Sequence, residues 1–167
     1  PTGGGSANLA ESRALEVLAQ VFSDRLFEKM RQAAGASYSP GVSSSWPKGL
    51  SGGGRLAAIS QIAPDKVDLF FRMSREIAAD LVKNPVSDDE LQRVKGPLSE
   101  LYQRASTSSL FWMRELSGGA YDDNRLDATR RIGRDFQAVT PQTLQATAAK
   151  YLVPAKDWTM AVVPEKK

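Results

Sequence analysis

The sequence predicts an α+β fold, in which helices pack on one face of an antiparallel β-sheet. Apolar residues recur at spacings of three and four over most of the chain, which is typical of amphipathic helices. Residues 36–46 and 55–62 instead alternate with a period of two, and residues 158–163 form a short apolar run near the end. The predicted order is therefore helix, two strands, several helices and a last strand, which is an α+β pattern.

The first predicted helix spans Asn8 to Ala34. Asn8 is a suitable N-cap, and Gly35 stands where a helix favours a left-handed C-terminal residue. One face of the helix is lined by apolar residues at helical spacing: Leu15, Leu18, Phe22, Leu26 and Met30.

The two strands after this helix are predicted to form a β-hairpin. Residues 47–54 between them are rich in Pro, Gly and Ser, so the connection is a loop too long for a tight turn. With a third strand at residues 158–163, the sheet would still be narrow for five or six helices. We therefore expect a first strand upstream of Pro1, which makes the chain a fragment of a larger protein.

The remaining chain is predicted to be helical, with each start marked by a local signal. Ser87 to Glu90 fits a capping box, and Gly96-Pro97 is expected to kink or strain the helix that follows. Thr140-Pro141 places a capping residue before a proline at the first helical position. The predicted helices are 64–83, a helix from 88 past Tyr102, 108–116, 124–136 and 141–152.

The composition excludes several kinds of active site. The 167 residues include neither histidine nor cysteine. Zinc sites draw most of their ligands from these two residues, so a catalytic zinc site within this chain is not expected. Ser-His and Cys-His nucleophile pairs are excluded as well. The 22 basic and 19 acidic residues are too balanced to indicate nucleic-acid binding, and no apolar run is long enough for a membrane span.

Three segments resemble the M16 (pitrilysin–insulinase) peptidases. Residues 26–40, LFEKMRQAAGASYSP, resemble that family's helix ending in L-F-x-x-x-R-x-x-x-G-x-x-Y-S. Residues 84–91, NPVSDDEL, resemble its P-[VI]-[ST]-x-x-E-L helix start. Tyr151-Leu152 with residues 158–164 resembles its closing strand. The three matches occur in the family's order.

The resemblance implies one M16 C-terminal-type domain over residues 1–167, with the M16-like (LuxS-metallohydrolase-like) fold. The H-x-x-E-H zinc helix of the family's first domain has no counterpart here, and residues 35–40, GASYSP, are most similar to the fourth, non-catalytic domain of long bacterial members. The parent would then be a zinc metallopeptidase with Zn²⁺ in its N-terminal catalytic domain. The expected partners are a peptide substrate and the catalytic half of the parent, and the expected location is the periplasm.

The resemblance also implies a substrate-binding pair, Arg31 and Tyr38, seven residues apart. Arginine offers five donors in a fixed fork and tyrosine one hydroxyl, which suits the carbonyl groups of an extended peptide. The alternative is purely structural, since an arginine in the last turn of a helix interacts favourably with the helix dipole and tyrosine is common in strands.

Other candidate sites are weaker. The acidic residues 88–90 are better explained by helix capping, and the glycine run 52–54 lacks the lysine of a phosphate loop. Trp112 is expected in the core, and Trp46 is a candidate for peptide contact.

Two functions other than that of a peptidase domain stay open at this point. The chain could be a scaffold or assembly domain of a catalytically inactive relative, or a stand-alone peptide-binding domain. For the fragment alone we expect an edge-paired or strand-exchanged dimer, because an open apolar sheet edge favours association.

Overall fold

The computed structural model describes residues 4–5, 8–34, 39–117 and 119–164. It confirms the α+β class, with most of the predicted helices in place. Short 3₁₀ turns precede the second helix and follow the last one. The elements are α1 Leu9–Ala34, β1 Gly41–Ser45, β2 Arg55–Ile59, α2 Val67–Lys83, α3 Asp88–Ala105, α4 Ser109–Leu116, α5 Asp123–Gln137 and α6 Pro141–Tyr151.

Helix α1 is the centre of the molecule. It packs against β1 and against α2, α3, α5 and α6. The predicted stripe is buried, and the residues beside it are buried too, so the apolar surface covers more of the helix than one face. The α1 residues with at most 3% exposure are Leu15, Val17, Leu18, Val21, Phe22, Leu26 and Met30.

The hairpin is shorter than predicted. Strands β1 and β2 pair antiparallel, from Gly41 opposite Ile59 to Ser45 opposite Arg55. Val42 and Ser44 are half-buried while Ser43 and Ser45 are exposed, so the predicted period of two is present in β1. Residues 36–38 of the predicted first strand lie outside the described part of the chain.

The predicted last strand is wrong for the residues described. Residues 158–163 are assigned to no strand, and the described sheet contains β1 and β2. The apolar side chains of this segment are exposed, at 77% for Trp158 and 88% for Val162. Apolar sequence makes a segment suitable for a strand, but a strand also needs a neighbour for its backbone groups.

The start of α3 shows half of the predicted capping box. The Ser87 hydroxyl accepts a hydrogen bond from the Glu90 amide at 3.1 Å. The Glu90 carboxylate does not return to Ser87, because it binds Arg25 of α1. A complete capping box occurs instead at α6, where Thr140 and Thr143 each bind the other's backbone amide. Helix α3 then continues to Ala105 with Pro97 inside it.

Arg25 joins three helices through its guanidinium group. Its Nε and Nη2 donate to the two Glu90 oxygens at 2.7 and 2.8 Å, and its Nη1 donates to Asp80 of α2 at 2.6 Å. The side chains of Arg25 and Glu90 are only 23% and 20% exposed. A two-pronged, partly buried pair of this kind is stronger than a single surface contact.

We predict that Arg25→Met lowers the free energy of unfolding by roughly 1–3 kcal/mol, because it leaves Glu90 partly buried without its cation. Urea denaturation measures the change. The matched control is Arg93→Met, which removes an exposed arginine 3.6 Å from Asp89 and is expected to cost less than about 0.5 kcal/mol. Equal losses in the two variants would contradict a special role for Arg25.

A buried lysine joins α3 to the end of α5. Lys95 is 4% exposed, and its Nζ donates to the carbonyl oxygens of Gln137 and Val139 at 2.8 and 2.9 Å. The carbonyl groups at a helix end lack intrahelical partners and carry partial negative charge, so an ammonium group stabilises them. Burial lowers the pKa of Lys95.

Aromatic rings fill the space between α3, α4 and α5. Tyr102 packs edge-on against Phe111 at 5.3 Å and lies 5.8 Å from Phe136. The Arg13 guanidinium lies 5.7 Å from the centroids of both the Tyr102 and the Phe136 rings. Burial raises the pKa of Tyr102 to about 12.

This shift predicts a loss of stability in alkali. The unfolded chain releases the tyrosine proton near pH 10, whereas folded Tyr102 keeps it until about pH 12. The unfolded state therefore binds fewer protons in this window, and the free energy of unfolding falls as the pH rises. Urea unfolding at about pH 9 and about pH 11 should show a smaller loss for Tyr102→Phe than for the unsubstituted chain. An equal loss would mean that other groups cause the effect.

Candidate peptide-contact site

The C-terminal end of α1 is an exposed, charged surface. The last two turns of α1 present Glu28, Lys29 and Arg31 to solvent, and Phe27 is 45% exposed beside them. Residues 27 and 31 are four positions apart and share one side of the helix. The predicted site residue Arg31 therefore lies on an accessible surface.

Arg31 is held by a neighbour on its own helix. Its Nη2 donates to both oxygens of Glu28, at 2.9 and 3.0 Å. The Gln32 amide donates to the same carboxylate at 2.6 Å. The hydrogen bond from Arg31 holds the pKa of Glu28 below its usual range. The Arg31 side chain is still 64% exposed, so most of its donors remain available to a ligand.

The second predicted site residue, Tyr38, lies outside the described part of the chain. The description resumes with Ser39, which is exposed, and Pro40, which is buried. Strand β1 begins one residue later at Gly41, opposite Ile59 of β2, which is 67% exposed. The structure thus describes the surface on which Arg31 stands, and the seven-residue pairing with Tyr38 stays a prediction.

This end of the domain can bind polar peptide groups. An exposed arginine can donate to a peptide carbonyl or a carboxylate while one of its nitrogens stays on Glu28. The surface offers charge for orientation and the partly exposed Phe27 ring for apolar contact. Among its described residues, no nucleophile is paired with a base.

The described residues do not fit a zinc ion. The sequence has no histidine or cysteine, and no described group of three or more acidic residues is arranged to hold a metal.

The other sequence candidates have structural roles. The acidic residues 88–90 begin α3, where the Ser87 hydroxyl accepts from the Glu90 amide at 3.1 Å. Gly53 of the glycine run has a φ of 94° in the hairpin loop, a conformation that glycine adopts at little cost. The core prediction for Trp112 is wrong: Phe111 is the buried member of that pair, while Trp112 is 39% exposed and donates to the Ser106 carbonyl oxygen at 2.7 Å.

Trp46 contacts the chain's own backbone. Its indole Nε1 donates to the Gly5 carbonyl oxygen at 2.9 Å, and the Gly5 amide donates to the Pro47 carbonyl oxygen at 3.0 Å. Gly4 lies so close to the hairpin loop that a Cβ atom there would stand 2.5 Å from the Leu50 carbonyl oxygen. Residues 4–5 thus pack beside the C-terminal end of β1. Arg31 lies before the opposite end of this strand.

Sequence reasoning missed a cleft between α1 and β1. The cleft has a volume of about 360 Å³ and contains charged side chains, among them Arg13, Glu16 and Lys48. Lys48 donates to Glu115 of α4 at 2.6 Å, and burial raises the pKa of Glu16. In the sequence, this cleft is indicated only by the polar residues between the apolar positions of α1. The same spacing is equally typical of a helix face that is open to solvent.

Comparison with known proteins relates the chain to two bacterial proteases by structure. A candidate zinc protease from Bordetella pertussis Tohama I superposes with a TM-score of 0.71 at 17% identity, over 92% of this chain and 85% of that one. The periplasmic protease PqqL from Escherichia coli superposes with a TM-score of 0.68 at 16% identity, over 87% of this chain. The chain spans only 16% of PqqL. No protein-family model and no curated protein matches the sequence.

These likenesses show that the chain has a fold found in proteases. They agree with the fold expected from the M16-like segments. Among the described residues, no helix is long and apolar enough to cross a membrane.

Proposed function

We propose that the chain is a non-catalytic domain of an M16-type zinc metalloendopeptidase, in which it forms part of the closing half of the substrate chamber. The observation that carries the proposal is the combination of a protease fold over 92% of the chain with a sequence that has no histidine. A domain with this fold and no means of binding zinc is suited to a role beside a catalytic domain. The likeness to about a sixth of PqqL agrees with one domain among several.

The parent protein would hold Zn²⁺ in its N-terminal catalytic domain. The partners of this chain would be that catalytic half and the peptide substrate. A periplasmic location of the parent is part of the same proposal, supported by the likeness to a periplasmic protease.

In this role Arg31 and Tyr38 would contact the peptide backbone. Arg31 stands on the exposed end of α1 and keeps donors free beside Glu28. An arginine held in this way loses little freedom on binding and can orient a peptide carbonyl group for reaction. Tyr38 would add a hydroxyl group from the segment that leads into β1.

We predict that Arg31→Ala in the parent enzyme lowers kcat/KM for peptide hydrolysis by about ten- to a hundredfold. This corresponds to one lost charged hydrogen bond of roughly 1.5–3 kcal/mol. Tyr38→Phe should lower the same quantity, because it removes only the hydroxyl group. Zinc content should be unchanged in both variants, since neither residue is expected to bind the metal, and thermal stability should be unchanged in Arg31→Ala, because that side chain is 64% exposed.

The matched control is Arg72→Ala, which removes an arginine of similar exposure, 67%, from α2. Its kcat/KM should equal that of the unsubstituted enzyme. If Arg31→Ala and Tyr38→Phe also leave hydrolysis unchanged, the substrate-contact role is wrong. If the parent lacks a zinc-binding helix, the peptidase role fails and a scaffold role replaces it.

We predict that the chain alone hydrolyses no peptide and holds no stoichiometric zinc. A quenched fluorescent peptide library and metal analysis by mass spectrometry test both statements. Hydrolysis that survives repurification and is abolished by a chelator would contradict the non-catalytic assignment.

A further inference from the structure

A second cleft lies in the helical layer, between α3, α4 and α5. It has a volume of about 410 Å³, which is within the range of ligand pockets in proteins. The rings of Tyr102, Phe111 and Trp112 line this aromatic cleft, and none of its described lining residues is charged. Because the cleft lies among helices, the strand expected upstream of Pro1, which would pair in the sheet, would not enter it.

The three rings of the aromatic cleft are held in a fixed arrangement. The Phe111 ring packs edge-on against both neighbours, with its centroid 5.3 Å from that of Tyr102 and 5.2 Å from that of Trp112. The Trp112 indole is also fixed by its hydrogen bond to the Ser106 carbonyl oxygen, at 2.7 Å. Trp112 is partly exposed, so its ring can pack against a ligand. A ligand that binds to such ordered side chains loses little free energy to their immobilisation.

Gly133 of α5 keeps the aromatic cleft open. A Cβ atom at this position would meet no other atom within 4 Å. The φ of Gly133 is outside the left-handed region, so the backbone does not require glycine there. Glycine in a helix interior weakens the helix relative to alanine. What the residue provides is therefore space in the cleft.

The polar groups of the cleft suit a peptide backbone. The exposed residues Gln103 and Gln137 both line it. Each side-chain amide offers an NH₂ donor and a carbonyl acceptor, which are the same groups that a peptide bond carries. The Gln137 Nε2 donates to the Ser99 hydroxyl at 3.3 Å, and its side-chain oxygen can accept from a peptide N–H.

The surface beside the cleft is apolar on α4. At 100° per residue, Leu116 and Met113 lie about 40° and 100° around the helix from Trp112. The buried Phe111 lies on the other side of Trp112. Leu116 and Met113 are exposed, at 41% and 64%. An exposed apolar surface that continues from a cleft is typical of an interaction site.

The surface beside the cleft is basic on α5. Residues 129–137, TRRIGRDFQ, contain three arginines and one aspartate. Arg130 and Arg134 are exposed, and they lie about 60° and 100° around the helix from Gly133. Arg130 is 3.6 Å from Asp127, and both side chains are largely open to water, so this pair is weak. The charge of this surface favours a partner with acidic residues.

We propose that the aromatic cleft binds a peptide segment in which an aromatic side chain is flanked by acidic residues. The aromatic side chain enters the space over Gly133 and packs against the Trp112 ring. The two glutamine amides bind the peptide backbone, and Arg130 and Arg134 attract the acidic residues. The cleft thus supplies an apolar anchor point, backbone hydrogen bonds and charge complementarity for one kind of ligand.

This site is remote from the predicted contact residue Arg31. The Arg13 guanidinium of α1 lies 5.7 Å from the centroid of the Tyr102 ring. Arg31 is about five turns further along α1, which is roughly 27 Å. The proposal therefore stands or falls without Arg31 and without a peptidase role for the parent.

Binding of synthetic peptides to the full chain, measured by fluorescence anisotropy, tests the class of ligand. The labelled peptide EEDEFSEDE should bind saturably, and EEDEASEDE, which lacks the ring, should bind about tenfold or more weakly. The basic peptide KKKKFSKKK should bind at least about threefold more weakly at low salt. No saturable binding at millimolar chain concentration, or equal affinity for the three peptides, would overturn the proposal. If N-acetyl-phenylalaninamide binds as tightly as EEDEFSEDE, the cleft takes a single ring and the assignment to a peptide is wrong.

Variants of Gly133 test the site. Gly133→Leu should weaken binding of EEDEFSEDE about tenfold or more, because the new side chain occupies the space that the ring would fill. The matched control Gly133→Ala adds one methyl group and should bind like the unsubstituted chain. Both changes replace glycine in a helix interior, so both variants should be at least as stable to urea as the unsubstituted chain. Equal affinities of the Leu and Ala variants would contradict the proposed site.

The indole N–H signals in NMR spectra locate the bound peptide. EEDEFSEDE should shift the Trp112 indole signal and leave the Trp46 signal, from the cleft beside β1, in place. A shift of Trp46 without a shift of Trp112 would place the peptide in the other cleft and overturn the assignment.

Discussion

The burial of α1 is the constraint on which the rest of the structure depends. A two-stranded hairpin offers too little surface to bury a helix of 26 residues. The apolar surface of α1 is broad enough that α2, α3, α5 and α6 all pack against it. Each of these helices is positioned by its contact with α1, and the hairpin covers one remaining side. A change in the tilt or register of α1 would therefore move the hairpin and these four helices together.

The same constraint makes the two ends of α1 differ in their surroundings. The apolar stripe of α1 ends at Met30, and the last turn projects into solvent with Arg31 and Glu28. A contact residue on such a projecting turn is rigid, since the buried turns behind it are fixed. At the other end, the polar residues Ser12, Arg13 and Glu16 line the cleft beside β1. One helix thus provides the centre of the core, an exposed charged end and one wall of the cleft beside β1.

The helices could be predicted from the sequence because local signals mark their ends. Ser87, Asp122 and Thr140 act as caps within two residues of the predicted starts, and these are interactions between neighbours in the chain. The long-range partners could not be predicted in the same way. Nothing in the spacing of the sequence shows that Glu90 binds Arg25, 65 residues away, in place of completing its capping box.

The same distinction explains the errors in the sheet and the site. Residues 158–163 have the composition of a strand, but pairing depends on whether another strand lies beside them, which composition does not encode. Trp112 was expected in the core because it stands among apolar residues, and the short helix α4 can bury only one of two adjacent rings. Arg31 was singled out by the resemblance to M16 peptidases, and the structure shows it exposed on the last turn of α1 while its substrate contact stays a prediction.

The buried amine of Lys95 divides the domain into parts with different responses to salt. Its acceptors are two carbonyl oxygens, so no carboxylate is involved and dissolved ions have little to screen. The Arg25 group, in contrast, joins α1 to α2 and α3 through full charges that are partly open to water. High ionic strength would weaken the ion pairs by which Arg25 of α1 holds α2 and α3. The hydrogen bonds from Lys95 that hold α3 to the end of α5 would persist. The contact between α3 and α5 thus depends on hydrogen bonds to carbonyl groups, whereas the contact of α1 with α2 and α3 around Arg25 depends on ion pairs. Ionic strength weakens the second kind of contact more than the first.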